Sequence, residues 1–434
     1  MKNPFDYFDK IYCICAKHET ERWEQSKVEF KKLGIYNRIV KFDEVIDLDF
    51  VNEQYGEGWN RTDYCHFKII MDAHKNKLNN VFIFESDIHF IDLDLDKMTK
   101  SIESLDNLDW KLFFMGGIPH VVYDVVNEHL INTSMCQAHA YAINGKHCQE
   151  VAKILKKNKM PIDQVYKRGK KYGLSYGSFA THPRFVVQED PDLLTRKQVS
   201  NIMWEKAVEP IMDLHKHKIE FITMASTNEG ALHRKIVNNL KKSLDLVGIP
   251  AEHGYLKIEE LQKNSEYDKL DRIYKSLSEN KSCLFTDPDV VFLKNPLDYL
   301  FNEIKKYDLI IQSDVRVQPE LKYFQKILNP GFCFVKPTPL TKELFDTSQR
   351  IEFLYDGIRE DEIYFNSKLN TDKFKDLKVK ILNEDEFCIS HENSERFKNG
   401  LEPSVVHYNE LPWRMFHPKN KIARMSDNNH WWIG

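Results

Sequence analysis

No stretch of this 434-residue chain stays apolar for the ~20 residues that span a bilayer, and the opening MKNPFDYFDK lacks both the basic start and the apolar run of a secretory leader. The expectation is a cytoplasmic protein, bacterial or made by a virus in its host's cytosol, and not a membrane-anchored one. Cysteine is sparse at 8 residues and never falls in CxxC spacing. Cys13 and Cys15 merely alternate along a strand, which reads as reduced intracellular usage, not a disulfide framework or a zinc site. Neither sign of charge dominates: 62 Lys and Arg stand against 66 Asp and Glu, a net −4. A surface built for nucleic-acid phosphates or anionic lipid needs an excess of basic residues, so both classes are disfavoured. What is present is an ordinary globular share of hydrophobic residues, 42%, in a chain long enough for two domains.

The most informative stretch is SCLFTDPDVVFLKNP, Ser282–Pro296. Two apolar runs flank Asp287 and Asp289, so the acids sit where a buried strand ends. In extended chain, residues two apart face the same way, and Pro288 between them fixes one φ and offers no N–H. Two carboxylates on one side repel each other unless a cation lies between them. Hard oxygen ligands so arranged suit Mg²⁺ or Mn²⁺ and leave coordination positions for a diphosphate. The plainer alternative is an Asp-Pro-Asp turn that ends a strand.

The segments IEFITMAS, LFTDPDVVFLKNP, LIIQSDVR, NPGFCFVKPT, DEIYFN and SVVHYNELPW follow in order, in a resemblance that covers most of Ile219–Trp432. Together they resemble the nucleotide-diphospho-sugar transferases, glycosyltransferases of the GT-A fold whose strand ends in a DxD motif. The resemblance implies transfer of a sugar from a nucleotide-diphosphate donor with Mn²⁺ or Mg²⁺ as cofactor. Asp287 then contacts donor or metal, Asp289 is the firmest metal ligand, and His407 in VVHYN is a further ligand. Asp361 and Glu362 match the segment near the donor sugar's anomeric carbon. Gly331, in a glycine turn, lets backbone approach the donor. Lys419, Lys421 and Arg424 either neutralise phosphate oxygens from the tail or form plain surface.

The N-terminal half repeats the pattern. Lys10–Ala16 reads as a strand, 19–33 as a helix with Trp23, Val28, Phe30 and Leu33 inward, and IVKFDEVI as a second strand. Strand, helix, strand suggests a parallel sheet. Residues 59–74 read as a further helix. In VFIFESDIHFID, Glu85 and Asp87 cap another apolar strand, either as a second metal-facing pair or as a solvated turn. Segments from FDKIYCICAKHETERW through FIFESDIHF, WKLFFMGG, AHAYAINGKHCQEVAKIL and PIDQVY to THPRFVVQED resemble glycosyltransferase family 25, of the lipooligosaccharide type. That resemblance implies inverting transfer, with Glu85 and Asp87 near metal and diphosphate and Asp163 as general base on the acceptor hydroxyl. Asp163 equally suits the N-cap of the helix that follows it. The sequence departs from the family's pattern where Ser86 interrupts the acidic run and where Lys17 and Arg22 are all that is left of an Arg-rich segment.

The expectation is therefore an α/β protein of two tandem GT-A-like, Rossmann-like domains, 1–214 and 215–434. The leading function is a bifunctional, metal-dependent glycosyltransferase that uses UDP- or GDP-linked sugars and a glycan or glycoprotein acceptor. One alternative leaves the C-terminal domain alone catalytic, with an acceptor-binding N-terminal domain. Another is a viral nucleic-acid base glycosyltransferase, which the near-neutral charge disfavours.

Overall fold

Two separate sheets organise the chain, and each begins with short apolar strands joined by helices. The computed structural model describes residues 3–44, 46–55, 60–188, 204–226, 230–261, 268–313, 328–348, 360–389, 402–408, 423, 425–426 and 430. The chain divides into two compact units, Met1–Met212 and Asp213–Gly434.

The first unit holds β1 (Lys10–Ile14), β2 (Ile39–Phe42), β3 (Asn80–Glu85), β4 (Ile88–Phe90), β5 (Leu112–Phe114), β6 (Ile118–Asn127), β7 (Leu130–Cys136), β8 (Ala140–Asn144), β9 (Ser178–Thr181) and β10 (Val186–Gln188). Eight of these form one sheet in the order β2-β1-β3-β8-β5-β9-β7-β6, and β4 pairs with β10 apart from it. β1 is parallel to β2 and β3, β8 is antiparallel to β3 and β5, and β9 is parallel to β5. The strands covered on both faces read as unbroken apolar runs, as in the wholly buried VFIF of β3. Phe82 and Phe84, two apart on β3 and so on one face, pack with ring centroids 4.5 Å apart in a cluster with Phe5, Phe8 and Phe30. Burying each such ring contributes roughly 2–3 kcal/mol, and this cluster anchors the strand whose end carries Glu85.

The second unit holds β11 (Ile219–Ser226), β12 (Lys257–Leu261), β13 (Ser282–Thr286), β14 (Val290–Phe292), β15 (Leu309–Ser313), β16 (Leu328–Val335), β17 (Val379–Ile381), β18 (Phe387–Ile389) and β19 (Val405–His407). Its main sheet runs β12-β11-β13-β16-β15-β17, with β14-β19-β18 as a small second sheet. The pairing signs repeat those of the first unit: β11 parallel to β12 and β13, β16 antiparallel to β13 and β15, β17 parallel to β15. The two units thus share one strand plan, tandem GT-A-like sheets with Rossmann-like starts.

Several element boundaries differ from expectation for local reasons. The helix Thr20–Lys32 buries Ser26, Glu29 and Phe30 and leaves Val28 exposed. Polar bonds set that face: Ser26 Oγ donates to Ser86 O (2.7 Å) and Glu29 accepts from Phe90 N (2.9 Å). The helix expected over 59–74 runs Arg61–Lys75, because Asn60 and Asp63 form a capping box at its start. The second strand stops at Phe42. In the second unit β12 ends at Leu261, and the helix that precedes β13 is Asp268–Ser278. Before β11, residues 204–207 and Glu209–Lys216 are helical. Among the described residues no helix is long and apolar enough to cross a membrane.

Candidate active site

Strand β13 delivers its acids to one place. Asp287 follows directly on Thr286, and its N–H donates to Gly331 O on the neighbouring β16 (2.6 Å). Asp289 leads into β14, whose Val290 stands opposite His407 of β19 in antiparallel register. That pairing carries His407 across a long stretch of chain to the two carboxylates. His407 Nε2 lies 3.4 Å from Asp289 Oδ1 and 3.6 Å from Asp287 Oδ2. Among the described residues, Asp287, Asp289 and His407 are the group whose ligand atoms gather closely enough to share one metal ion.

Three observations show that these residues suit a divalent cation. His407 is wholly buried, yet its Nε2 has no hydrogen-bond partner. Its tautomer is fixed from behind: Gln312 Nε2 donates to Phe387 O (3.3 Å), which turns Gln312 Oε1 toward His407 Nδ1 (3.1 Å). Nδ1 therefore carries the proton, and Nε2 presents a lone pair to the carboxylates, the usual arrangement behind a metal-ligating histidine. Gly331 supplies the third observation. A Cβ there would stand 2.4 Å from both Asp287 Oδ2 and His407 Cε1, so only glycine leaves the space in which these side chains meet. Lys269, on the helix before β13, lies 3.1 Å from Asp287 Oδ2, a cation already drawn to the pair.

Glu362 sits almost wholly buried on the helix Glu360–Leu369. Asn366 of the same helix clamps it to β16: Leu328 N donates to Asn366 Oδ1 and Asn366 Nδ2 to Leu328 O, both 2.9 Å. Asp361 lies on this helix, but its side chain is outside the described residues, as are Lys419, Lys421 and Arg424.

In the first unit, Glu85 ends β3 and Asp87 follows in the turn to β4. Their surroundings differ from those of the second pair. His66, wholly buried on the helix Arg61–Lys75, places Nε2 3.1 Å from Glu85 Oε1 and Nδ1 3.1 Å from Tyr141 OH. Gln188 of β10 places Nε2 2.8 Å from Asp87 Oδ2 and 3.4 Å from Glu85 Oε2. Burial opposes the charge on Glu85, but His66 outweighs it and holds the carboxyl below its ordinary value. Burial and then the Glu85 charge push Asp87 upward. Among the described residues, Glu85 and Asp87 do not fall in a group of three His, Cys, Asp or Glu side chains close enough to share one metal ion.

Asp163 does not cap its own helix. Pro161 holds the N-cap position of Ile162–Lys167, and the Ile162 N–H is taken by Asp63 Oδ1 (2.8 Å). Asp163 Oδ1 instead accepts from Ala138 N (2.9 Å), one residue before His139, whose carbonyl accepts from Glu85 N (2.9 Å). The carboxyl is thereby held at the same sheet end as Glu85. Burial first and the Glu85 charge second push it up to about 6.

Residues 268–425 match the family model of the nucleotide-diphospho-sugar transferases. Among solved structures, the chain is similar to a glycosyltransferase involved in glycosylation of the major capsid of PBCV-1, at 14% identity over 48% of this chain and 99% of that one, TM-score 0.32. It is similar to the bifunctional glycosyltransferase WbbM at 9% identity over 96% of this chain and 97% of that one, TM-score 0.34. Mouse xyloside xylosyltransferase 1 shows 12% identity over 44% of this chain and 97% of that one, TM-score 0.28. No curated protein matches the chain. The chain carries a C-terminal nucleotide-diphospho-sugar transferase domain, an enzyme domain for sugar transfer, whose carboxylate and histidine ligands form a candidate divalent-metal site.

Proposed function

We propose that the second unit transfers a sugar from a UDP- or GDP-linked donor to a glycan or glycoprotein acceptor, with a divalent cation held by Asp287, Asp289 and His407. The observation that carries this reading is the buried, partnerless Nε2 of His407 facing two carboxylates at a strand end. When bound, the cation neutralises the diphosphate and acts as a Lewis acid on the departing oxygen. The chain's own groups do the rest. Asp289, 3% exposed, is kept from solvent and is the firmer ligand, while the more open Asp287 faces the donor. Gln312 holds the histidine's lone pair toward the site. Gly331 keeps backbone close and side chain absent where the donor must lie. Asp361 and Glu362 open the helix read as flanking the anomeric carbon, where a carboxylate stabilises oxocarbenium charge.

The wider reading is bifunctional transfer, with the first unit a family 25-like domain and Asp163 its base. It is supported by the strand plan the two units share and by an acidic pair at the end of the same strand in each. The test is a panel of UDP- and GDP-sugars with and without Mn²⁺, scored for release of nucleoside diphosphate and, on a panel of sugar acceptors, for the linkages made. Metal-dependent release by a single class of donor is the expected result for the second unit. Two linkages, one of them lost in Glu85→Ala/Asp87→Ala, is the expected result for bifunctional transfer. Release that is indifferent to Mn²⁺ and to chelator would overturn the metal-dependent reading.

A further inference from the structure

The strand plan allows the two acidic sites to be compared position by position. In the second unit the residue after the second acid, Val290, stands opposite His407 in antiparallel register. In the first unit the residue after the second acid, Ile88, stands opposite Gln188 in antiparallel register. Gln188 therefore occupies the place of the metal-facing histidine. Its Nε2 lies as many bonds from Cα as a histidine Nε2 does, so the two side chains have the same reach. They bring opposite chemistry to it. A histidine Nε2 freed by its tautomer offers a lone pair, whereas the Gln188 amide offers N–H groups, and it lies within 2.8 Å of Asp87 Oδ2 and 3.4 Å of Glu85 Oε2. An amide nitrogen stands between the carboxylates where the second unit leaves room for an ion.

The other neighbour of the first acid shows the same divergence. In each unit the helix before the strand sends one basic side chain to it, Lys269 to Asp287 and His66 to Glu85. The lysine side chain is 17% exposed and ends on a flexible stem that can swing away as an ion arrives. His66 is 0% exposed, and its far nitrogen is held by Tyr141 OH at 3.1 Å. Glu85 Oε1 is thus committed to a partner that has nowhere to go. Arg22, from the helix Thr20–Lys32, adds a positive charge felt by both Glu85 and Asp87. The first unit thus gives Glu85 Oε1, Glu85 Oε2 and Asp87 Oδ2 partners from its own side chains, while Asp87 Oδ1 stays buried without a hydrogen-bond partner.

We propose that the first unit is a divalent-independent site in which Gln188 and His66 take the place of the ion, so that the chain binds one divalent cation and not two. The proposal takes the metal assignment of the second unit as its template. The experiment counts Mn²⁺ bound per chain, by equilibrium dialysis or by the electron-paramagnetic-resonance signal of free Mn²⁺, on the full-length protein. It compares wild type with Asp287→Asn/Asp289→Asn, Glu85→Gln/Asp87→Asn and Gln188→His, each checked for fold by circular dichroism and thermal melting. The expected counts are one for wild type, none for the Asp287/Asp289 variant, one for the Glu85/Asp87 variant and two for Gln188→His. Two ions in wild type, one of them lost with Glu85 and Asp87, would overturn the proposal and leave the second unit's assignment standing. One ion lost only with Glu85 and Asp87 would overturn both. No ion in wild type removes the template and the proposal with it. A folded Gln188→His that stays at one ion would refute the role given to Gln188.

Discussion

Replacing Gly331 by alanine adds one methyl group, and the structure states what that methyl meets. Its carbon would stand 2.4 Å from Asp287 Oδ2, 2.4 Å from His407 Cε1 and 2.8 Å from Asn329 Oδ1, where real Cβ contacts essentially never fall under 3.0 Å. To reach 3.0 Å from 2.4 Å, each of the two ligand side chains must give way by about 0.6 Å. Metal–ligand distances tolerate about 0.2 Å. The ligand set therefore fails before the fold does. Overpacking of this kind costs about 1–3 kcal/mol of stability, which a sheet buried along all of β16 can absorb. The expected outcome for Gly331→Ala is a folded protein with a modestly lower melting temperature. Its Mn²⁺ affinity should be weaker by at least about tenfold, equivalent to roughly 1.4 kcal/mol. Mn²⁺ titration alongside thermal melts reads both quantities. Wild-type Mn²⁺ affinity in a protein with an unchanged melt would mean that the three side chains do not converge beside this residue.

Three further outcomes follow from the same geometry. His407→Ala should raise the Mn²⁺ concentration for half-maximal turnover at least about tenfold while turnover at saturation survives, because two carboxylates still hold the ion; an unchanged half-saturation point would return His407 to a packing role. Glu220, on β11, is buried, which disfavours its charge, but Lys257, Ser276 and Arg272 outweigh burial and hold it down to about 2. With an ordinary value of 4.5, this depressed carboxyl contributes about 3 kcal/mol that is present above pH 4.5 and lost as pH falls toward 2. Glu220→Gln should accordingly be less stable than wild type in denaturant at pH 7 by an amount of that order, and the gap should shrink on acidification; a gap independent of pH would contradict the assignment. Asp163, pushed up to about 6, must be deprotonated to act as base, so transfer by the first unit should fall as pH drops through about 6. Asp163→Asn should remove most of that transfer together with its acid limb, and survival of the limb would place the base elsewhere.

Much of the fold was legible because it depends on local chemistry. Apolar runs such as FIF and CLF, bounded by acids and turn residues, read as covered strands, and the acids mark where those strands end. Asp287 and Asp289 were readable as a pair from their spacing, and His407 from the segment that contains it. The partners were not readable. Lys269, Gln312, Gln188 and His66 are polar residues inside amphipathic or mixed segments, and nothing local distinguishes them from surface. They reach the acids through strand register and helix packing over long stretches of chain, as when β10 pairs with β4 to deliver Gln188. For Glu85 and Asp87, spacing shows that two carboxylates share a side, but not that the Gln188 amide lies within reach of both. Helix faces misled where polar bonds outweighed apolar content, as at Ser26 and Glu29, which turn inward while Val28 faces solvent.

If sugar transfer by the second unit runs through a divalent ion held at the end of β13, removing the buried carboxylate there must abolish it. Wild type and Asp289→Ala are assayed for nucleoside diphosphate release from the donor that wild type prefers, across a Mn²⁺ titration that reaches saturation. Two repelling carboxylates share the site, so losing one leaves the metal-free fold about as stable as before, and the melting temperature should hold. Asp289→Ala should stay folded, and its Mn²⁺-dependent release should fall at least about a hundredfold, equivalent to roughly 3 kcal/mol of lost transition-state stabilisation. Wild-type release from Asp289→Ala at saturating Mn²⁺ would contradict transfer through that ion.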